Sequence, residues 1–100
     1  MKRKILMFYY AGCANANLMM SAIFGGLNLS GKYAIEVHEF AKDPDGKKLF
    51  TDYKELIKKE TGKDHASPIF VDPEKKKAAY IKDFETLMAW LEGPEWWKNM

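Results

Sequence analysis

Tyr9-Tyr10-Ala11-Gly12-Cys13-Ala14-Asn15-Ala16 is where the chain changes character. Before it runs Ile5-Leu6-Met7-Phe8, apolar without alternation. That is the pattern of a strand buried on both faces, predicted here over residues 4–10. After it, Leu18, Met19, Ala22 and Ile23 recur at helical spacing. They predict a helix from about Ala14 to Phe24, with Leu18 and Met19 on its buried side and Gly25-Gly26 as its stop. The single cysteine of the chain, Cys13, therefore falls on a strand-to-helix corner. The first backbone N–H groups of a helix have no partner within it and point outward. Together with the helix dipole they favour thiolate over thiol at such a place.

The surroundings are those of one ordinary domain. One hundred residues are enough for a single core, and 47% apolar content is too high for disorder. Sixteen basic against 14 acidic residues leave a net charge of +2, too balanced to argue for nucleic acid or an anionic membrane. A lone cysteine excludes an internal disulfide and a multi-thiolate zinc site. It makes a reducing, cytoplasmic compartment the simplest home. Lys2-Arg3-Lys4 before an apolar run, with Ala11-Gly12-Cys13 behind it, imitates a secretory or lipoprotein signal. The run is short and carries two tyrosines, and cleavage there would discard the best strand, so the segment is read as part of the fold. No run approaches the ~20 apolar residues of a membrane span.

Downstream, a turn at Asn28–Gly31 precedes a second strand, Tyr33 to Phe40. Its alternation puts Tyr33, Ile35, Val37 and, at its end, Glu39 on one face and Ala34, Glu36, His38 and Phe40 on the other. His38 reads as an exposed strand residue rather than a ligand. Asp43 is the predicted N-cap and Pro44 the first residue of a second helix that runs unbroken to about Thr61. Leu49, Phe50, Tyr53, Leu56 and Ile57 form its apolar stripe. Lys47, Lys48, Lys54, Lys58 and Lys59 lie mostly off that stripe, with the solvated-face reading preferred over a dock for an acidic partner. Pro68 opens a short buried strand, Ile69-Phe70-Val71, and Lys77 to Ile81 pairs back as its hairpin partner. Asp83 caps a third helix, whose buried stripe is Phe84, Leu87, Met88 and Leu91, and Gly93-Pro94 ends it. The tail carries Trp96-Trp97, expected to fold back on the core. Residues 1–93 form the domain and 94–100 the tail. Met19 and Met20 are read as core fillers rather than soft-metal ligands.

The order is β-α-β-α-β-β-α, an α/β chain with a four-stranded mixed sheet flanked by three helices. With cysteine at the first strand-to-helix corner and X-Pro at the third strand, it resembles the thioredoxin fold, and its compactness resembles glutaredoxin. Three stretches carry the resemblance: Phe8-Tyr9-Tyr10-Ala11-Gly12-Cys13, Asp43-Pro44-Asp45-Gly46 through Thr61-Gly62, and Ser67-Pro68-Ile69-Phe70-Val71-Asp72. The resemblance implies a cis Pro68 facing the sulfur, and a Ser67 backbone that pairs with a peptide or with glutathione. It further implies ligand contacts from Ala14, Asn15 and Ala16, and a weaker one from Asp83. The departures are equally plain. The family's C-x-x-C is Cys13-Ala14-Asn15-Ala16, without a resolving thiol or the usual proline. The Gly-Gly pair before the last helix is replaced by Lys82-Asp83.

A single cysteine attacks a disulfide and forms a mixed disulfide, but an external thiol must complete the turnover. The expectation is thiol–disulfide exchange with Cys13 as sole nucleophile and no resident cofactor. Glutathione is a co-substrate candidate, and the substrate is a protein disulfide or a glutathione mixed disulfide. A cluster shared between two chains would need four thiolates, two of them from glutathione, and the local motif does not match relatives that do this. Ala16 admits two readings, a natural C-x-x-A motif or a replaced resolving cysteine, and the sequence leaves both open. His65, three residues before Pro68, is the candidate helper base, its plain reading being a solvent-facing loop residue. The alternative function is a redox-silent interaction module using the Cys13–Pro68 groove or the tryptophan tail.

Overall fold

The apolar run becomes β1 (Arg3–Tyr9), and its side chains alternate between two cores. Ile5 and Met7 face one layer, Leu6 and Phe8 the other, and none is more than 1% exposed. This is a computed structural model, and it describes residues 3–23, 32–64 and 66–99. β2 (Tyr33–Glu39) lies parallel to β1, in register from Arg3↔Tyr33 to Tyr9↔Glu39. β3 (Ile69–Asp72) lies antiparallel on β1's other side, and β4 (Lys77–Tyr80) pairs antiparallel with β3. The sheet order is β2-β1-β3-β4, so the expected four-stranded mixed sheet is present.

Parallel neighbours need a crossover over one face. α1 (Ala14–Ser21) lies within that connection, and α4 (Phe84–Glu92) joins it on the same face. Ala16, Met19, Ile23, Leu87 and Leu91 pack there on Ile5, Met7 and Phe70. The opposite face is covered by Phe50 of α2 (Pro44–Asp52) and Ile57 of α3 (Lys54–Thr61), set against Leu6, Phe8, Ile69, Val71 and Ala78. An aromatic stack ties α2 down: Phe40 lies flat on Phe50 at 4.4 Å, and Phe8 meets Phe50 edge-on at 5.4 Å.

Three expectations are corrected. The second helix is broken, so among the described residues four α-helices flank the sheet rather than three. Tyr53 sits between α2 and α3 with φ −107° and ψ 5°, outside helical values. Its N–H bonds back to Phe50 over a shortened turn, and its ring packs at 6.3 Å from Phe8. Leu18 is not in the core but 67% exposed, because α1 carries neutral residues all round and its apolar stripe is poorly marked. The tail folds back only in part. Trp96, in a 3-10 turn (Trp96–Asn99), meets Phe84 edge-on at 6.1 Å, whereas Trp97 is 56% exposed. The Phe24–Gly26 helix end, the Asn28–Gly31 turn and His65 lie outside the described residues.

The end of the sheet where β1 begins is ionic. Asp72, fully buried, pairs with Arg3 at 3.4 Å and accepts the Lys75 N–H at 3.2 Å. The Arg3 guanidinium lies over the Tyr33 ring at 5.2 Å. The Tyr33 hydroxyl donates to Glu92, which also pairs with Lys32, and lies 3.4 Å from the Leu91 carbonyl. Along β4, Lys77 folds onto the Trp90 ring, and burial pushes its ammonium below the usual lysine value. Lys63 and Lys82 both lie over Tyr80, and Lys75 and Lys76 stand exposed in the β3–β4 turn. Among the described residues, no helix is long and apolar enough to cross a membrane.

Candidate functional site

At the other end of the sheet, β1 leaves through a tight turn, Tyr10 to Cys13, closed by the Cys13 N–H donating to the Tyr10 carbonyl at 3.3 Å. Gly12 takes φ +88°, which suits the third position of a type II turn and disfavours any residue with a side chain. Cys13 then occupies the N-cap position of α1 in extended conformation, and its carbonyl accepts the Asn17 N–H. Cys13 is half-buried. Its Sγ donates to the carbonyl oxygen of Ser67 at 3.5 Å.

Ser67 precedes β3 and is 4% exposed, and the Ser67–Pro68 peptide bond is cis, as the resemblance implies. The Ser67 hydroxyl accepts the Tyr10 N–H at 3.3 Å. Backbone and side chain of Ser67 thus both engage the Cys13 corner, a second tie that nothing in the spacing announces. Pro68 is in turn held from β4's side, its carbonyl accepting the Ile81 N–H at 3.4 Å. Tyr10 is 42% exposed and meets Phe40 edge-on at 5.9 Å, so an aromatic wall adjoins the corner.

The structure therefore brings together Cys13, Ser67 and Pro68. Ala14 is exposed and Asn15 half-buried at the start of α1, beside the sulfur in sequence. Ala16 is corrected: it is fully buried against the α1–α4 face of the sheet and offers no surface to a ligand. Asp83 is committed elsewhere. Its carboxylate caps α4, accepting the Thr86 N–H at 2.8 Å and the Thr86 hydroxyl, and the N–H bond holds it below the usual carboxylate range. His38 is half-buried rather than exposed, bonded to Glu36 at 3.2 Å and tilted against Phe8 at 5.9 Å. No group of three His, Cys, Asp or Glu side chains suited to a metal occurs among the described residues. A hollow of about 580 Å³ lies along the tail, lined by Glu92, Gly93, Pro94, Glu95, Trp97 and Lys98, and no residue of the Cys13 corner lines it.

The residue that sequence reading missed is Glu39, the last of β2. Its carboxylate accepts the Ala11 N–H at 2.9 Å, the Lys42 N–H at 2.6 Å and the Asp43 N–H at 3.1 Å. Those bonds, the one from Lys42 foremost, hold its pKa down at about 2. Asp43 keeps the predicted N-cap position of α2, but its side chain makes no capping bond. No local signal marks Glu39, because the Ala11 partner is 28 residues away in the chain. Comparison with protein-family models, with curated proteins and with solved structures gives no match.

Proposed function

We propose that the protein is a thiol–disulfide oxidoreductase of glutaredoxin/thioredoxin type on a thioredoxin-like fold, with Cys13 as its sole nucleophile. The element order and the sheet order β2-β1-β3-β4 agree with that layout. The observation that carries the reading is the sulfur of half-buried Cys13 at a helix start, 3.5 Å from the carbonyl of the residue before a cis proline. A thiolate there attacks one sulfur of a substrate disulfide in line, forming a Cys13–S–S–R bond as the S–S bond of the substrate breaks. The second substrate sulfur leaves with the electron pair and takes a proton from solvent. An external thiol of the glutathione class then attacks the mixed disulfide and restores Cys13. Its oxidised product carries away the disulfide. Ser67 serves as the backbone rail for the incoming peptide, which replaces the Cys13 thiol as donor to the Ser67 carbonyl.

The test is incubation with glutathione disulfide at neutral pH, read by intact mass. One glutathione per chain is expected. The adduct is absent from Cys13→Ser and is lost on adding reduced glutathione. A chain that takes up none while fully folded overturns the proposal in favour of a redox-silent interaction module. That second reading draws on one observation, the buried Ala16 standing where a resolving thiol would be.

A further inference from the structure

We propose that Glu39 is a positioning residue for Cys13, its carboxylate holding the Tyr10–Cys13 corner in the shape that sets the sulfur beside the Ser67 carbonyl. The two carboxylate oxygens are divided between two loops. Oε2 accepts from Ala11, two residues before Cys13, whereas Oε1 accepts from Lys42 and Asp43 in the turn that leads into α2. Neither loop supplies this acceptor itself, so the corner is tied to the β2–α2 turn by one side chain. The neighbouring backbone supports the same tie: the Phe40 N–H donates to the Tyr9 carbonyl at 2.8 Å. From outside, α2 braces the backbone of Glu39, since a Cβ on Gly46 would come within 1.8 Å of the Glu39 carbonyl oxygen. With Ser67 taking the Tyr10 N–H, successive amides of the corner are fixed from two separate places, the end of β2 and the segment that precedes β3.

The division of oxygens makes glutamine the diagnostic substitution. Glutamine has the same size but one acceptor oxygen, and its NH2 group meets N–H donors on the other side. Its one oxygen stays with the two donors, Lys42 and Asp43, and its NH2 turns toward the single donor, Ala11, which is released. Aspartate keeps both oxygens but is one methylene shorter. Consequences for turnover rest on the redox reading above, whereas those for simple alkylation of the thiol do not.

The experiment compares wild type with Glu39→Gln, Glu39→Asp and Glu39→Ala, each checked for a native melt. The readouts are amide hydrogen exchange, iodoacetamide alkylation of Cys13, and kinetics with glutathione disulfide. In Glu39→Gln the Ala11 amide is expected to lose protection, and kcat to fall about tenfold with KM little changed, the scale of a misplaced reacting group. Glu39→Asp recovers part of the loss and Glu39→Ala recovers none. In the unmodified chain, the amide shifts of Ala11, Lys42 and Asp43 should follow a single carboxyl titration, a measurement that requires no variant to fold. An Ala11 shift that ignores that titration, or a folded Glu39→Gln with wild-type rates and wild-type Ala11 protection, overturns the proposal. A wild type inert to disulfides but with alkylation altered in Glu39→Gln sinks the redox reading and leaves the positioning role standing.

Discussion

Tyr33 and Glu39 stand at the two ends of β2 and leave opposite marks on pH dependence. Burial, then the bond to Glu92, pushes the Tyr33 phenol up to about 12 from 10. A raised value favours the neutral form in the folded chain, so its contribution is complete below pH 10 and disappears as pH climbs toward 12. Tyr33→Phe should flatten that alkaline decline, measured by denaturant unfolding on both sides of pH 10. Glu39 is depressed from 4.5 to about 2, so its contribution is complete above pH 4.5 and is lost as pH falls toward 2. Glu39→Gln should show a shallower acid decline than wild type in the same measurement. Neither effect was legible in the sequence. The alternation groups Tyr33 with Ile35 and Val37 on one strand face, but its hydroxyl finds Glu92 59 positions away, and the Glu39 bond to Ala11 spans 28. Periodicity reports which face a residue takes, not which distant group it meets.

At the level of helices and strands, Gly46 makes a test in which two effects disagree in sign. Helix propensity alone has Gly46→Ala stabilising by about 1 kcal/mol. The Glu39 carbonyl 1.8 Å from the new methyl says otherwise, because α2 must back away from β2. The contact wins, and we expect a loss on the order of 1–3 kcal/mol by thermal or denaturant melting. Position 16 lies one turn along α1 from Cys13, on the same side of the helix. Ala16→Cys should therefore supply the resolving thiol, and the glutathione adduct should no longer accumulate in intact mass spectra. The break at Tyr53 escaped prediction for a different reason. No proline or glycine marks it, and the apolar stripe runs on through Leu56 and Ile57, so only packing against Phe8 reveals it. Leu18 misled because a helix without charges gives little contrast between its faces.

For the molecule as a whole, one sheet serves two cores, and β1 contributes alternate residues to both. Unfolding one layer strips the other of its support, so a single cooperative transition is expected. Leu87→Ala, at a fully buried position, should cost about 2–5 kcal/mol, whereas Leu18→Ala, at 67% exposure, should stay within about 0.5 kcal/mol. The central strand was readable because an apolar run without alternation has few other uses. The corner was readable because a cysteine stands where that run stops. At one of the sheet's two edges, β4 is bracketed by Lys63, Lys75, Lys76 and Lys82. A second copy approaching strand to strand would bring its own ammonium groups against these and be turned away before any backbone pairing begins. At that edge the repulsion is strongest in dilute buffer, and concentrated electrolyte, by veiling those charges, lowers the barrier to side-by-side growth.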